Sequence, residues 1–184
     1  MTTYDDDFIE SFFTCNTHDT LLIVTNRGQL HWLKVYRIPE GSRTAKGKAI
    51  VNLINLVQDE EIQSIIPTTD FNEENSLVFF TKNGIVKRTN LSEFSNVRSN
   101  GVRAIVLDDD DVLVTAKIST KDTQYLFILT HLAQCIKFDI EKTRDQGRTT
   151  RGVRGIKFKH EGDFVIDANV IDNDEQEILT VSEK

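Results

Sequence analysis

Apolar residues along this chain come in short bursts separated by turn residues. The bursts are "LLIVT" (21–25), "SLVFFT" (76–81), "VLVTAKI" (112–118), "YLFILT" (125–130), "CIKF" (135–138) and "FVIDANVI" (164–171). Each either alternates apolar with polar positions or is a brief apolar run, which are the two signatures of a β-strand. No stretch sustains a helical period. The pattern predicts an all-β chain, interrupted by only two prolines, Pro39 and Pro67.

The bursts belong to a repeat. Three stretches are similar to one another, starting near Asp19, Asn75 and Thr123. Each opens with an apolar strand ending in Thr25, Thr81 or Thr130, followed by a tight turn, "NRG", "KNG" or "HLA". A second strand bearing cations comes next. An Arg–Gly element follows (Arg43/Gly47, Arg98/Gly101, Arg148/Gly152), and a strand containing Ile closes the unit. Thr180 marks the start of a fourth copy. The repeats run approximately over 17–70, 73–118 and 122–171, with a partial one at 174–184, all within a single repeat domain. Gly in the first two turns supplies the positive φ that a tight hairpin wants. The third turn lacks Gly and is expected to turn differently. A lone hairpin cannot bury its apolar face, whereas four-stranded units stacked side by side can. Repeats of this length therefore predict propeller-like blades. Three blades and a fraction do not close a ring, so the expectation is a piece of a larger repeat domain or an open array.

Charge sharpens the picture. The chain carries a formal net charge of −7, yet its cations are gathered. The windows 27–48, 82–103 and 137–159 hold 19 of its 22 Lys and Arg residues and only 5 of its 29 acids. Equivalent positions of stacked blades lie along one rim, so the windows predict a basic stripe. Gly beside Arg suits close approach to a phosphate backbone, because backbone N–H groups and forked guanidinium donors reach it together. The candidate contacts flanking the Gly elements are Arg43, Lys46, Lys48, Arg98, Arg103, Arg148, Arg151 and Arg154. Lys34, Arg37, Lys87, Arg88 and Lys137, on or just beyond the second hairpin strand, join them. The eight cations that flank the Gly elements have a competing role, holding the inter-blade loop, since Arg beside Gly often satisfies loop carbonyls. Acidic runs recur as well, "QDEE" (58–61), "DDDD" (108–111) and "HEGD" (160–163). They are expected in exposed turns, serving solubility or repelling DNA from the other face. Two functions fit: weakly sequence-selective, salt-dependent binding of double-stranded DNA, or a protein-interaction propeller whose basic rim takes an acidic partner or another protein chain.

The stretches "THDTLLIVTNRGQLHWLKVYRIPEGSRTAKGKAIVNLINL", "GIVKRTNLSEFSNVRSNGVRAIVLDDDD" and "GRTTRGVRGIKF" resemble consecutive repeats of the C-terminal domain of the bacterial DNA gyrase A subunit. The resemblance covers nearly the whole chain and is weaker to the topoisomerase IV counterpart. It implies a β-pinwheel, a propeller-like disc whose blades exchange strands with their neighbours. It implies DNA wrapped on a basic rim, in support of ATP-dependent negative supercoiling by a type II topoisomerase. The implied partners are DNA, the gyrase B subunit, and the rest of the gyrase A subunit. The implied location is the bacterial cytoplasm, at the nucleoid. The family's Q-R-R-G-G-R-G box does not occur in the sequence; "RTTRGVRG" (148–155) echoes it without the Gln and the double Gly.

Catalytic chemistry finds no residues here. There is no Walker motif and no G-x-S-x-G. The resemblance places the DNA-cleaving tyrosine, and the ATP and Mg sites, in other parts of the parent enzyme, so no cofactor is expected in this chain. Nothing supports a nucleophile among Tyr4, Tyr36 and Tyr125. His18, His31, His131 and His160 have no metal-ligand spacing with Cys15 and Cys135. The two distant cysteines predict no disulfide framework. No apolar run approaches the roughly 18–20 residues of a membrane span, and no membrane partner is expected. Trp32 could stack on a base, but packing between blades suits its amphipathic ring better.

Overall fold

A computed structural model of the chain describes residue 9, residues 11–42 and residues 47–180. Its strands are β1 (Thr20–Thr25), β2 (Gln29–Lys34), β3 (Ile62–Thr68), β4 (Ser76–Thr81), β5 (Ile85–Asn90), β6 (Val102–Arg103), β7 (Leu113–Ser119), β8 (Tyr125–Thr130), β9 (Cys135–Asp139), β10 (Val153–Arg154) and β11 (Val165–Ile171). Single 3-10 turns occur at Val35–Arg37, Ile50–Asn52, Leu91–Phe94 and Ile140–Lys142. No α-helix occurs among the described residues, and the all-β expectation holds.

The strands form three antiparallel sheets, in the orders β3-β1-β2-β6, β10-β5-β4-β7 and β11-β8-β9. The outermost strand of a sheet comes from the following repeat. Val102 and Arg103, in the second repeat, pair with Leu30 and Gln29 of the first. Val153 and Arg154, in the third, pair with Val86 and Ile85 of the second. The Ile-containing segments expected to close their own units thus pair with the preceding repeat, through the two-residue strands just before Ile105 and Ile156, and blades exchange strands as the resemblance implied. The third sheet has three strands among the described residues, and β9 presents an open edge. Residues 174–180, read as the start of a fourth repeat, form no strand.

Stacking supplies the core. In β4 every residue is buried, because both faces of the middle sheet are covered. Leu77 and Phe79 pack with Leu22, Val24, Leu30, Phe94 and Ile105 on one side. Val78 and Phe80 pack with Val86, Leu126, Ile128 and Ile156 on the other. This is why "LVFF" reads as a continuous apolar burst. The strand β3 escaped the sequence reading; it contains Pro67, which a sheet edge tolerates. The Ser64 hydroxyl of β3 accepts from the Ala116 N–H of β7 at 2.8 Å, tying together the end strands of two sheets.

The hairpin turns explain how the exchanged strands seat. Gly28 has φ +70° and Gly84 φ +82°. The Gly28 carbonyl accepts from the Ala104 N–H at 2.8 Å, and the Gly84 carbonyl accepts from the Gly155 N–H at 2.8 Å. A Cβ at Gly28 would lie 2.6 Å from Ile105 Cγ2, and one at Gly84 2.7 Å from Ile156 Cγ2. Glycine is required at both turns for its backbone and for the space it leaves. The third turn corrects an expectation: it is the same turn. The Ala133 N–H donates to the Thr130 carbonyl at 3.1 Å, as Gly28 does to Thr25 and Gly84 to Thr81, and Ala133 takes φ +59°. A left-handed L-residue costs about 1–2 kcal/mol, part of which glycine returns as unfolded-state entropy. Ala133→Gly is expected to stabilise the chain by about 0.5–1 kcal/mol. Urea unfolding checks this, and an unchanged or lower midpoint would refute it.

The acidic runs are a second correction. One acid of each run is buried, Glu60, Asp111 and Asp163. The Thr25 hydroxyl donates to Glu60 Oε1 at 2.6 Å, and the Thr130 hydroxyl donates to Asp163 Oδ2 at 2.7 Å. The Asn83 N–H donates to Asp111 Oδ1 at 2.9 Å. These carboxylates fasten each hairpin turn to the start of the strand that follows them, β3, β7 or β11. Burial alone would raise the Asp163 pKa. The Leu132 N–H, Thr130 hydroxyl and Phe164 N–H outweigh it and hold the carboxyl below its usual range.

Candidate nucleic-acid interface

The basic windows build the outer edge of the sheets. In the second and third repeats the chain leaves its 3-10 turn, crosses an exposed loop and enters β6 or β10. Arg103 on β6 and Arg154 on β10 are exposed, on the outermost strands of successive sheets. Arg98 is exposed in the loop leading to β6. None of the three forms an ion pair among the described residues. Lys48 is exposed in the matching segment of the first repeat, and Arg37 is exposed at the end of the Val35–Arg37 turn. Lys34 is half-buried, its ammonium donating to the His18 carbonyl at 3.5 Å. Arg43 and Lys46 lie outside the described residues.

Lys87 is not on the surface. Its side chain is fully buried, and Nζ donates to the Ala104 carbonyl at 2.6 Å and the Arg148 carbonyl at 2.7 Å. Those carbonyls belong to the two exchanged segments, so Lys87 clasps one to the other. Burial, with the Arg148 guanidinium second, pushes its pKa down to about 8. Alternation decides this placement: on β5, Lys87 sits on the face that its neighbour in the ladder, Phe79, also uses to enter the interior.

Four more candidates are engaged within the protein. Arg88 Nε and Nη2 donate to the two carboxylate oxygens of Asp145 at 2.9 and 3.2 Å. Lys137 pairs with Asp174 and lies 4.4 Å from the centroid of the Tyr125 ring. That carboxylate raises the Lys137 pKa, and the ammonium lowers that of Asp174. Arg148 Nε stands 3.9 Å from Glu93 Oε2, and Arg151 Nη1 stands 2.6 Å from Asp108 Oδ1. Register relates two of these to Trp32: Leu22 faces Trp32, Val78 faces Arg88 and Phe127 faces Lys137. Trp32 Nε1 donates to the Phe94 carbonyl at 3.0 Å, and Arg88 reaches Asp145, so this position holds the next repeat's loop in both cases. Trp32 is half-buried between repeats.

Four exposed cations of the third window, Lys142, Arg144, Lys157 and Lys159, fall outside the candidates named from sequence. Proximity to β10 in the repeat alignment was the signal available. What the edge offers chemically is a periodic row of forked and point-charge donors with no base-reading groove element, suited to phosphates rather than base edges. No group of three or more His, Cys, Asp or Glu residues placed to hold a metal ion occurs among the described residues. No helix among them is long and apolar enough to cross a membrane.

Known proteins share this arrangement. The sequence profile described as "DNA gyrase C-terminal domain, beta-propeller" matches residues 19–69, 75–120 and 124–172. The DNA gyrase A subunit of Campylobacter jejuni is 56% identical, over 100% of this chain and 25% of that protein. The Helicobacter pylori (strain 26695) counterpart is 60% identical, over 98% of this chain and 22% of its own length. The chain therefore spans about a quarter of the length of these curated relatives. Among solved structures, the C-terminal domain of DNA topoisomerase IV superposes with TM-score 0.77 at 33% identity, covering 85% of this chain and 48% of the other. A DNA gyrase A C-terminal domain gives TM-score 0.68 at 30% identity, covering 85% and 49%. Between these two solved structures the topoisomerase IV domain is matched at least as well as the gyrase one, in identity and in TM-score, so the weaker resemblance expected for that counterpart is not seen there. With three successive profile matches over strand-exchanged blades, the chain belongs to the DNA gyrase C-terminal domain family of β-propellers.

Proposed function

We propose that this chain binds double-stranded DNA, without strong sequence preference, along the outer edge formed by β6 and β10. As part of a gyrase A subunit, it would help wrap DNA for ATP-dependent negative supercoiling by a type II topoisomerase. One observation carries the reading: Arg103 and Arg154 recur, exposed and free of ion pairs among the described residues, on the exchanged outer strands of adjacent sheets. A repeated cation along successive sheet edges fits a repeated phosphate. The kinship with gyrase A subunits supports the same conclusion. On this reading the partners are DNA, the gyrase B subunit, and the remainder of the gyrase A subunit, at the nucleoid in the cytoplasm. ATP and Mg act elsewhere in the assembly.

The test is a salt titration of binding to a labelled random-sequence duplex of about 40 base pairs. Each phosphate contact contributes about −0.9 to the slope of log K against log salt. Arg98→Ala/Arg103→Ala/Arg154→Ala is expected to make that slope shallower by up to about 2.7 and to weaken binding by at least about tenfold. A folded wild-type chain that leaves the duplex free even at low salt would overturn the proposal and favour an acidic protein partner. An unchanged slope in the variant would move the interface away from β6 and β10.

A further inference from the structure

Two acids interrupt the cationic edge. Glu93 is the one acid of window 82–103, and Asp108 begins the run "DDDD". Glu93 Oε2 lies 3.9 Å from Arg148 Nε, and Asp108 Oδ1 lies 2.6 Å from Arg151 Nη1. Both pairs join an acid of the second repeat to a cation of the third, on the loop that leads into β10. The carboxylates are about half exposed, 51% and 52%, and the fold leaves them open to solvent.

The repeat does not call for an acid at either position. Glu93 is the third residue of its 3-10 turn, and the third residue of the matching turn is Lys142. The Asp108 carbonyl accepts from the Asp111 N–H at 3.0 Å, and its counterpart in the third repeat, the His160 carbonyl, accepts from the Asp163 N–H at 3.4 Å. The third repeat therefore carries an exposed residue that is not an acid, Lys142 or His160, at each place where the second carries Glu93 or Asp108.

We propose that Glu93 and Asp108 limit the strength of DNA binding by occupying Arg148 and Arg151, making the junction of the second and third repeats the weak point of the grip. This rests on the DNA-binding reading above. Exposed ion pairs are weak, so a phosphate can displace either carboxylate. The displaced carboxylate then stays beside the phosphodiester and repels it, so the guanidinium yields less than a free one. The acids thus act as affinity-setting residues within the interface, and Arg98, Arg103 and Arg154 carry the grip around them.

The experiment compares the wild-type chain with Glu93→Gln/Asp108→Asn in the same salt titration. Glu74→Gln/Asp122→Asn makes the identical charge change at exposed acids that form no ion pair among the described residues. The interface variant is expected to bind at least about fivefold tighter at 0.1 M salt, with a slope steeper by up to about 1.8, two phosphates' worth. The control is expected to bind slightly tighter with no added slope. Glu93→Lys/Asp108→Lys, which reverses both charges, is expected to bind tighter still. Thermal melts establish that each variant is folded, and the lysine pair serves if the amide pair is not. A wild type that binds DNA while both interface variants match the control would overturn this inference alone. A folded wild type that does not bind would overturn the DNA-binding reading itself.

Discussion

Gly84→Val is expected to cost about 3–5 kcal/mol and to strip β10 from the second sheet. Three effects act at one position. The backbone there has φ +82°, which costs an L-residue about 1–2 kcal/mol, and a β-branched one more. Its Cβ would sit 2.7 Å from Ile156 Cγ2 and 3.3 Å from the Ile156 carbonyl oxygen, so overpacking adds about 1–3 kcal/mol. Any shift that relieves the clash disturbs the Gly84 carbonyl, which accepts from Gly155 N–H. The loss is a large part of the stability of a domain this size. Urea unfolding followed by tryptophan emission and circular dichroism reads it. A variant within about 1 kcal/mol of wild type would show that Ile156 can leave its seat without cost. Ala133→Gly, at the same turn position of the third repeat, carries the opposite sign because it relieves the left-handed strain that Gly84→Val creates.

Lys87→Met is expected to cost about 2–4 kcal/mol, since it keeps the aliphatic stem but leaves two buried carbonyls without their donor. The relief of a buried ammonium offsets part of that loss. The pH dependence identifies the cause. The folded-state pKa is lowered to about 8 from 10.5, so between those values the unfolded chain binds more protons than the folded one. Wild-type stability relative to Lys87→Met therefore rises as pH climbs from about 8 toward 10.5, and is flat below that window. A gap that shrinks over the same range would refute the buried clasp. The salt slope of DNA binding is expected to stay at the wild-type value, because a fully buried ammonium touches no phosphate. This separates Lys87 from Arg103 and Arg154, with which its sequence context had grouped it.

The candidate site was legible to different depths. Arg98, Arg103 and Arg154 could be named from repeat register alone, and the structure leaves them exposed. Lys87 could not be excluded, because a lysine on a strand reads as solvent-facing unless the neighbouring face is known to be covered. Arg88, Lys137, Arg148 and Arg151 were visible as cations, but their acids lie 57, 37, 55 and 43 positions away in sequence. Glu60, Asp111 and Asp163 passed for surface charge because their runs are rich in acids, and which member turns inward depends on the hairpin packed above.

The sequence by itself determined the strand content, the threefold repeat, the turn glycines and the concentration of cations in three windows. These are local properties: alternation, positive-φ turns and spacing are written in neighbouring residues. Only the tertiary structure decided which sheet each closing strand joins, which charges meet and which are buried. A two-residue strand such as Val102–Arg103 has too few ladder bonds to choose a partner by pattern. Its place on the preceding sheet is chosen by Ile105 seating over Gly28, a contact between residues 77 positions apart.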